Sequence, residues 1–400
     1  MRNEDSRAAV RILILAFSIT AIHTAVVAVC SGRSDPAEAW GALFGFDSFF
    51  FRNVIEAGYH FPAEPYFEHA GNVAFFPGYP LLARMLMAVT GLPAKPALLI
   101  TAQLASVGFW IYFLLLLRRW GVRPVASVAC VALVVGHPAA FFLVCGYSES
   151  AFLLALFGFV YWSGRTGSTA AVLAALHGCA MTATRLVGLP AVVYPLLSAW
   201  AKRENRRGYA TALAVAGVAA LGALAYAAYL EIEFGGWSVY TTAQSVGWNV
   251  HPDPFAFFRR KTWGLRPSEW VTVWRDVAAL DRLFVPLTVL HFLILFGLEF
   301  LARRGGRPTR WRERVPLYFI AVSLFAVPVI SHASRGMSSM TRFALCWDAV
   351  LVLILAGLLA DRSEWMDKWW VRIVLFGGAL GFASIQPTLA IKFTRGEFIG

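Results

Sequence analysis

The chain is cut into apolar runs long enough to cross a lipid bilayer, joined by short basic or aromatic connections. About 20 residues of helix cover a hydrocarbon core. Runs of that kind fall at approximately 9–30, 97–117, 124–144, 149–163, 168–184, 186–200, 208–231, 283–302, 315–331, 343–360 and 370–391, about eleven in number. Backbone in hydrocarbon must satisfy its own hydrogen bonds, which selects helices. The predicted fold class is therefore all-α, a polytopic transmembrane helical bundle. Only 14% of the residues are charged, against roughly a quarter in soluble domains. No polar block is long enough for a separate soluble domain, so 1–400 reads as one integral membrane domain. Its long connections, 31–95 and 232–282, and its helix ends must carry any chemistry. The run from Ala8 to Cys30 follows Arg7 and is too long for a cleaved signal peptide. It is expected to stay as the first span.

The net charge is +12. The positive-inside rule accounts for it: basic clusters collect in cytoplasmic loops. Alternating the spans puts Arg2 and Arg7, Arg118–Arg123, Lys202–Arg207, Arg303–Arg314 (with Arg307), Arg362 and Lys368 on one side. The N-terminus is then cytoplasmic, the C-terminus outside, and the expected home a bacterial inner membrane. No aromatic–basic repeat supports nucleic acid as a partner, whereas membrane lipids are expected ones. Cys30, Cys130, Cys145, Cys179 and Cys346 lie in or beside apolar segments without CxxC spacing, so neither disulfides nor a metal site follow. Arg185, Pro190 and Pro195 interrupt 168–200, which predicts a broken or tilted pair of segments.

The same alternation gathers Asp47, Arg52, Glu56, His60, Glu149, His251, Asp253, Arg259, Arg260, His332, Arg335 and Arg342 on the outer face. Asp47 stands among Phe46, Phe49, Phe50 and Phe51, and an acidic residue among aromatics beside a membrane is costly unless it has a role. Residues 47–57 predict a short interfacial helix, with Asp47 at the N-cap or in the first turn. The stretch 73–91 predicts a second interfacial helix or a short re-entrant span. Trp237, Trp248, Trp263, Trp270 and Trp274 mark a connection resting at the headgroups. Charges inside the spans are scarce apart from Arg185, which favours an enzyme over a transporter or lipid flippase.

Four stretches together carry a family resemblance. They are Phe46-Asp47-Ser48 with Ile55-Glu56-Ala57-Gly58-Tyr59; Ala74-Phe75-Phe76-Pro77-Gly78-Tyr79-Pro80; His137-Pro138 with Tyr147-Ser148-Glu149-Ser150; and Thr184-Arg185-Leu186-Val187-Gly188 with the later Thr341-Arg342-Phe343. In order and spacing they resemble the PIG-V-type mannosyltransferases. Glu56 before Ala57, Val187 where that family commonly has Asn, and Phe46 in place of Trp depart from the pattern. The resemblance implies a GT-C fold whose first outer loop carries the catalytic acid. It also implies an inverting transfer, with a polyprenyl-phosphate-linked hexose, expected to be mannose, as donor and a lipid, glycolipid or glycan hydroxyl as acceptor.

Within that frame an outward-facing site cannot reach cytoplasmic nucleotide sugars, so the sugar must arrive on a lipid. Asp47 is the expected general base. Arg342, Arg335 and Arg185 are the candidate phosphate ligands, because a guanidinium is always charged and can bind bidentately. Glu56 stands four residues after Arg52 and is expected to orient it. Glu149 is either a first-turn carboxylate or a substrate contact. Tyr59, His60, Tyr147 and His332 are candidate contacts to sugar or phosphate, and Phe75, Phe76 and Tyr79 candidates to stack on a sugar or line a lipid groove. With no DxD, HExxH or His/carboxylate cluster, neither a metal nor a cofactor is expected.

Overall fold

The computed structural model describes residues 2–64, 70–273, 275–304 and 309–397, without the side chains of residues 2–5 and 271. The expectations for Trp274, Arg307 and the Arg2 side chain lie outside those described residues. Every regular element among them is helical. Among the described residues seven helices are long and apolar enough to cross a membrane: Ser6–Cys30, Ala94–Arg119, Arg206–Phe234, Val277–Arg304, Trp311–Ser331, Met340–Asp361 and Trp369–Thr394. Four shorter apolar segments accompany them: Pro124–Val135, Glu149–Ser163, Ser168–Thr184 and Leu186–Lys202. This is a helical membrane protein. Met340–Asp361 is its axis, with 78% of its most apolar window buried inside the bundle against 22% for Ser6–Cys30.

Several expected boundaries are corrected. The run at 124–144 is not one helix; it stops at Val135, and only the short turn Ala140–Leu143 follows. Pro138 removes a donor and biases His137 away from helix. A side chain at Gly136 would also stand 2.6 Å from the Ala379 carbonyl oxygen, so a helix crosses closely there. The run at 370–391 bends between Trp369–Ala383 and Gln386–Thr394. The segment 73–91 is helical only over Gly78–Thr90. Past Arg185 the chain makes a 3-10 helix, Leu186–Val193, holding Pro190, then Tyr194–Lys202 with Pro195 in its first turn. Asp47–Ala57 forms as expected.

The basic connections meet at one end of the bundle. Arg119 and Lys202 donate to the Gly164 carbonyl oxygen. Arg123 pairs with Asp367 at 2.9 Å. Arg310 pairs with Asp361 at 3.0 Å and donates to the Trp120 carbonyl oxygen, also at 3.0 Å. Arg314, almost fully buried, bridges Glu299 at 2.9 Å and Asp361 at 2.7 Å. Arg362 donates to the Ala302 carbonyl oxygen.

Charge within the spans is also corrected. Arg185 sits at a helix end, in extended backbone with φ −153°. Glu299 and Asp348 lie inside long apolar helices instead. Each is tolerated because a neighbouring segment supplies a partner. For Glu299 it is Arg314; for Asp348 they are His137 at 3.3 Å and His291 at 3.4 Å.

The opposite end is drawn together by close approaches at small residues. A Cβ at Gly78 would lie 2.6 Å from Thr184 Oγ1 and 2.8 Å from the Ala183 carbonyl oxygen. Gly78 thus lets the Phe75–Pro80 turn press onto the end of Ser168–Thr184. Gly78→Ala is expected to lose about 1–3 kcal/mol of stability through overpacking, read as a lower thermal midpoint of the detergent-solubilised protein. An unchanged midpoint would show that the contact yields freely.

Candidate active site at the Asp47–Arg342 ion pair

Asp47 occupies the first turn of Asp47–Ala57, and its carboxylate bonds to no backbone amide of a described residue. The preceding Phe46 holds φ 49°, a strained conformation for a residue with a side chain. The Asp47 N–H donates to Tyr147 Oη at 3.3 Å. This junction is tight: a Cβ at Gly146 would stand 2.8 Å from Ser48 Oγ. The Asp47 carboxylate points instead at Arg342, the third residue of Met340–Asp361, whose Nη1 donates to Oδ2 at 2.6 Å. Oδ1 makes no hydrogen bond to any described residue.

Arg342 serves a second carboxylate. Its Nε stands 3.6 Å from Glu149 Oε1, and the same oxygen accepts from Arg185 Nη1 at 2.5 Å. Asp47, Arg342, Glu149 and Arg185 therefore form a line of alternating charge. The rings of Phe142, Tyr147 and Phe343 surround the Arg342 guanidinium, with centroids 5.8, 5.3 and 5.2 Å away. Such faces attract a cation and exclude water from it. Asp281, fully enclosed, accepts from the Ser339 and Thr341 amides at 2.8 Å each. It pins the turn that starts the Arg342 helix, in which Met337 and Ser339 both have positive φ.

A cavity of about 650 Å³ opens on this line of charge. Asp47, Ser148, Arg185, Arg335 and Arg342 stand on its polar side, and Phe75, Phe76, Tyr240 and Trp248 wall it. Leu324, Val327, Phe343 and Cys346 form an apolar floor. Leu324 and Cys346 lie on long helices about 9–11 Å below their ends at this face, at 1.5 Å per residue. The cavity is thus amphipathic along its depth. Arg335 is its one guanidinium that makes no ion pair or side-chain hydrogen bond with a described residue. Burial and Arg342 lower its proton affinity against the pull of Asp47 and Asp281, and an arginine stays charged under such pressure. Burial, with Arg335 and Arg342 nearby, lowers His332 from its ordinary 6.5 to about 3, so its imidazole is neutral.

The expected residues fall into two groups. Asp47, Tyr147, Glu149, Arg185 and Arg342 share one network, and Phe75, Phe76, His332 and Arg335 line the same cavity. Five others are placed elsewhere. Arg52 and Glu56 bond to each other at 2.9 Å on the exposed side of their helix. Tyr59 packs on Tyr226 and Tyr229 and donates to the Phe75 carbonyl oxygen. Tyr79 is fully buried and donates to the Leu98 carbonyl oxygen. His60 lines a separate cleft. Asp281 escaped sequence reasoning because it precedes an apolar run and looks like a loop residue; an acid that close to a span was the available signal. Trp248 reads in the sequence as a headgroup anchor, and Tyr240 carries no signal there.

No group of three or more His, Cys, Asp or Glu side chains converges to hold a metal ion among the described residues. The chain matches no protein-family model and no curated protein.

Two outcomes follow from the geometry. Arg342→Met is expected to cost about 3–5 kcal/mol, as breaking a buried pair from one side does, checked by thermal or chemical unfolding in detergent. A loss no larger than a surface substitution gives would show that the pair contributes little. His332 is depressed in the folded state, so stability falls as pH drops below 6.5 toward about 3. His332→Gln removes this component, and the thermal midpoint of the variant should fall less between pH 7.5 and 5 than that of the wild type.

Proposed function

We propose that the protein is an inverting glycosyltransferase. It would move a hexose, mannose by the resemblance to PIG-V-type enzymes, from a polyprenyl-phosphate carrier to a hydroxyl of a lipid, glycolipid or glycan. One observation carries this reading. A single cavity joins a carboxylate with an oxygen open among the described residues, a guanidinium with no carboxylate partner among them, and an apolar cleft beneath. A phosphate-headed lipid has that sequence of needs: charge at the head, hydrocarbon below.

In the proposed reaction the isoprenoid tail lies along Leu324, Val327 and Cys346, and its phosphate meets Arg335. Arg342 is committed to Asp47 and Glu149, so its work is to position the base and to temper charge, while Arg335 takes the leaving group. The acceptor oxygen attacks the anomeric carbon and its proton passes to Asp47 Oδ1. The bond from that carbon to the phosphate oxygen breaks, and its electron pair leaves with the phosphate. Attack opposite the leaving group inverts the centre. All eleven apolar segments would cross the membrane, placing this end outside and the basic end in the cytoplasm.

A lipid flippase is the second reading, favoured by the same amphipathic cavity and by the His137–Asp348–His291 group inside the bundle. One assay separates them. Membranes are incubated with radiolabelled polyprenyl-phosphate-mannose and a lipid extract. Asp47→Asn should lower kcat about 10²- to 10⁴-fold, the usual scale of general-base catalysis. Arg335→Gln should raise donor KM about tenfold or more, as loss of a charged hydrogen bond does. Label transferred equally by wild type and Asp47→Asn sinks the reading. Absent transfer, with donor translocated across proteoliposomes, favours the flippase.

A further inference from the structure

A second cleft of about 360 Å³ adjoins the first and is lined by Phe49, Phe50, Asn53, His60, Phe61, Pro62 and Gly71. Phe50 links the two. Its ring stacks on Phe75 at 4.5 Å and 11° and meets Trp248 edge-on at 5.4 Å, and Phe75 and Trp248 both wall the main cavity.

The cleft is built rather than incidental. Asn72 is fully buried and uses its whole carboxamide to shape it. Its Oδ1 accepts from the His60 amide at 2.9 Å, while its Nδ2 donates to the Gly58 carbonyl oxygen at 2.9 Å and to Asn53 Oδ1 at 2.7 Å. Asn53 must present its oxygen to that donor, so its NH₂ group turns away from Asn72, free of described partners. Gly71 lets two strands of loop pass in contact: with φ +74°, a Cβ there would stand 2.3 Å from the His60 carbonyl oxygen. Phe49 is 56% exposed, yet Phe44 steadies its ring edge-on at 5.2 Å.

We propose that this cleft is a neutral-saccharide subsite that holds the sugar portion of the acceptor next to Asp47, an inference that rests on the transferase reading. Among the described residues the lining holds aromatic rings, an amide and an imidazole but no carboxylate, lysine or arginine. A hexose offers an apolar C–H face to a fixed phenyl ring and hydroxyls to an oriented amide and an imidazole. The volume is at the lower end of small-molecule sites, about 300–1,000 Å³. Phe50 stands three residues past Asp47, on the same side of the helix, and its ring lines this cleft while packing on Phe75 and Trp248 of the cavity that Asp47 lines.

The decisive variant is Asn53→Asp. It keeps an acceptor for Asn72 Nδ2 and replaces only the outward donor, so the thermal midpoint should hold. Saturation-transfer NMR on the full detergent-solubilised protein, with methyl α-mannopyranoside as probe, should show saturable binding to the wild type. Binding should weaken about tenfold or more in Asn53→Asp and Phe49→Ala and persist in Asp47→Asn. No binding to the wild type, or equal binding in the Asn53 and Phe49 variants, overturns the subsite. Unchanged acceptor KM in Asn53→Asp, with transfer intact, overturns it while leaving the transferase standing. Asn53-dependent saccharide binding without any transfer would overturn the transferase reading instead.

Discussion

A guanidinium ringed by Phe142, Tyr147 and Phe343 has lost most of its water, and carboxylates must replace what the water supplied. Arg342 finds two, Asp47 and Glu149, and Glu149 in turn needs Arg185 because it is almost wholly enclosed. The demand of one buried cation therefore fixes four segments that are far apart in the chain. It sets the start of Met340–Asp361 against the first turn of Asp47–Ala57 and against the ends of Glu149–Ser163 and Ser168–Thr184. Asp281 secures the same arrangement from another side by holding two amides of the Ser339–Thr341 turn. Gly78 and Gly146 make it sterically possible.

The pairing also decides which charges remain for a ligand. Arg342 has its carboxylates and Arg185 has Glu149, so Arg335 is the cavity-lining guanidinium left without one among the described residues. The proposed reaction follows this division of labour: Arg342 positions, Arg335 binds. Beneath them the wall turns apolar within two helical turns. That gradient, more than any single residue, makes an amphiphile the natural occupant.

Much of this was legible from residue order, because its causes are local. Long apolar runs force helices in hydrocarbon, and most of the expected spans appear as helices. The Asp47–Ala57 helix and the Arg52–Glu56 pair follow from spacing on one helix, and both are found. A local rule also explains one corrected end: Pro138 stops the helix that apolarity alone would have continued. What was not legible depended on neighbours. Asp348 and Glu299 sit inside apolar helices because His137, His291 and Arg314 arrive from other segments. Asp281 looks like a loop acid until the Ser339–Thr341 turn is folded over it. Tyr79, Tyr59 and His60 belong to aromatic-rich motifs, yet none of them lines the main cavity.

The sequence by itself determined that the chain is a bundle of membrane-length helices, with its basic residues in a few connections and its other polar residues in others. It also singled out Asp47 and Arg342, because a charged residue beside an apolar segment is conspicuous wherever that segment packs. Only the tertiary structure decided that these two form a pair, that Glu149 and Arg185 extend it, and that Arg335 is left without a carboxylate among the described residues. The physical reason is that burial and spacing act along the chain, whereas the partner of a buried charge is whichever opposite charge the packing of helices brings within about 3 Å.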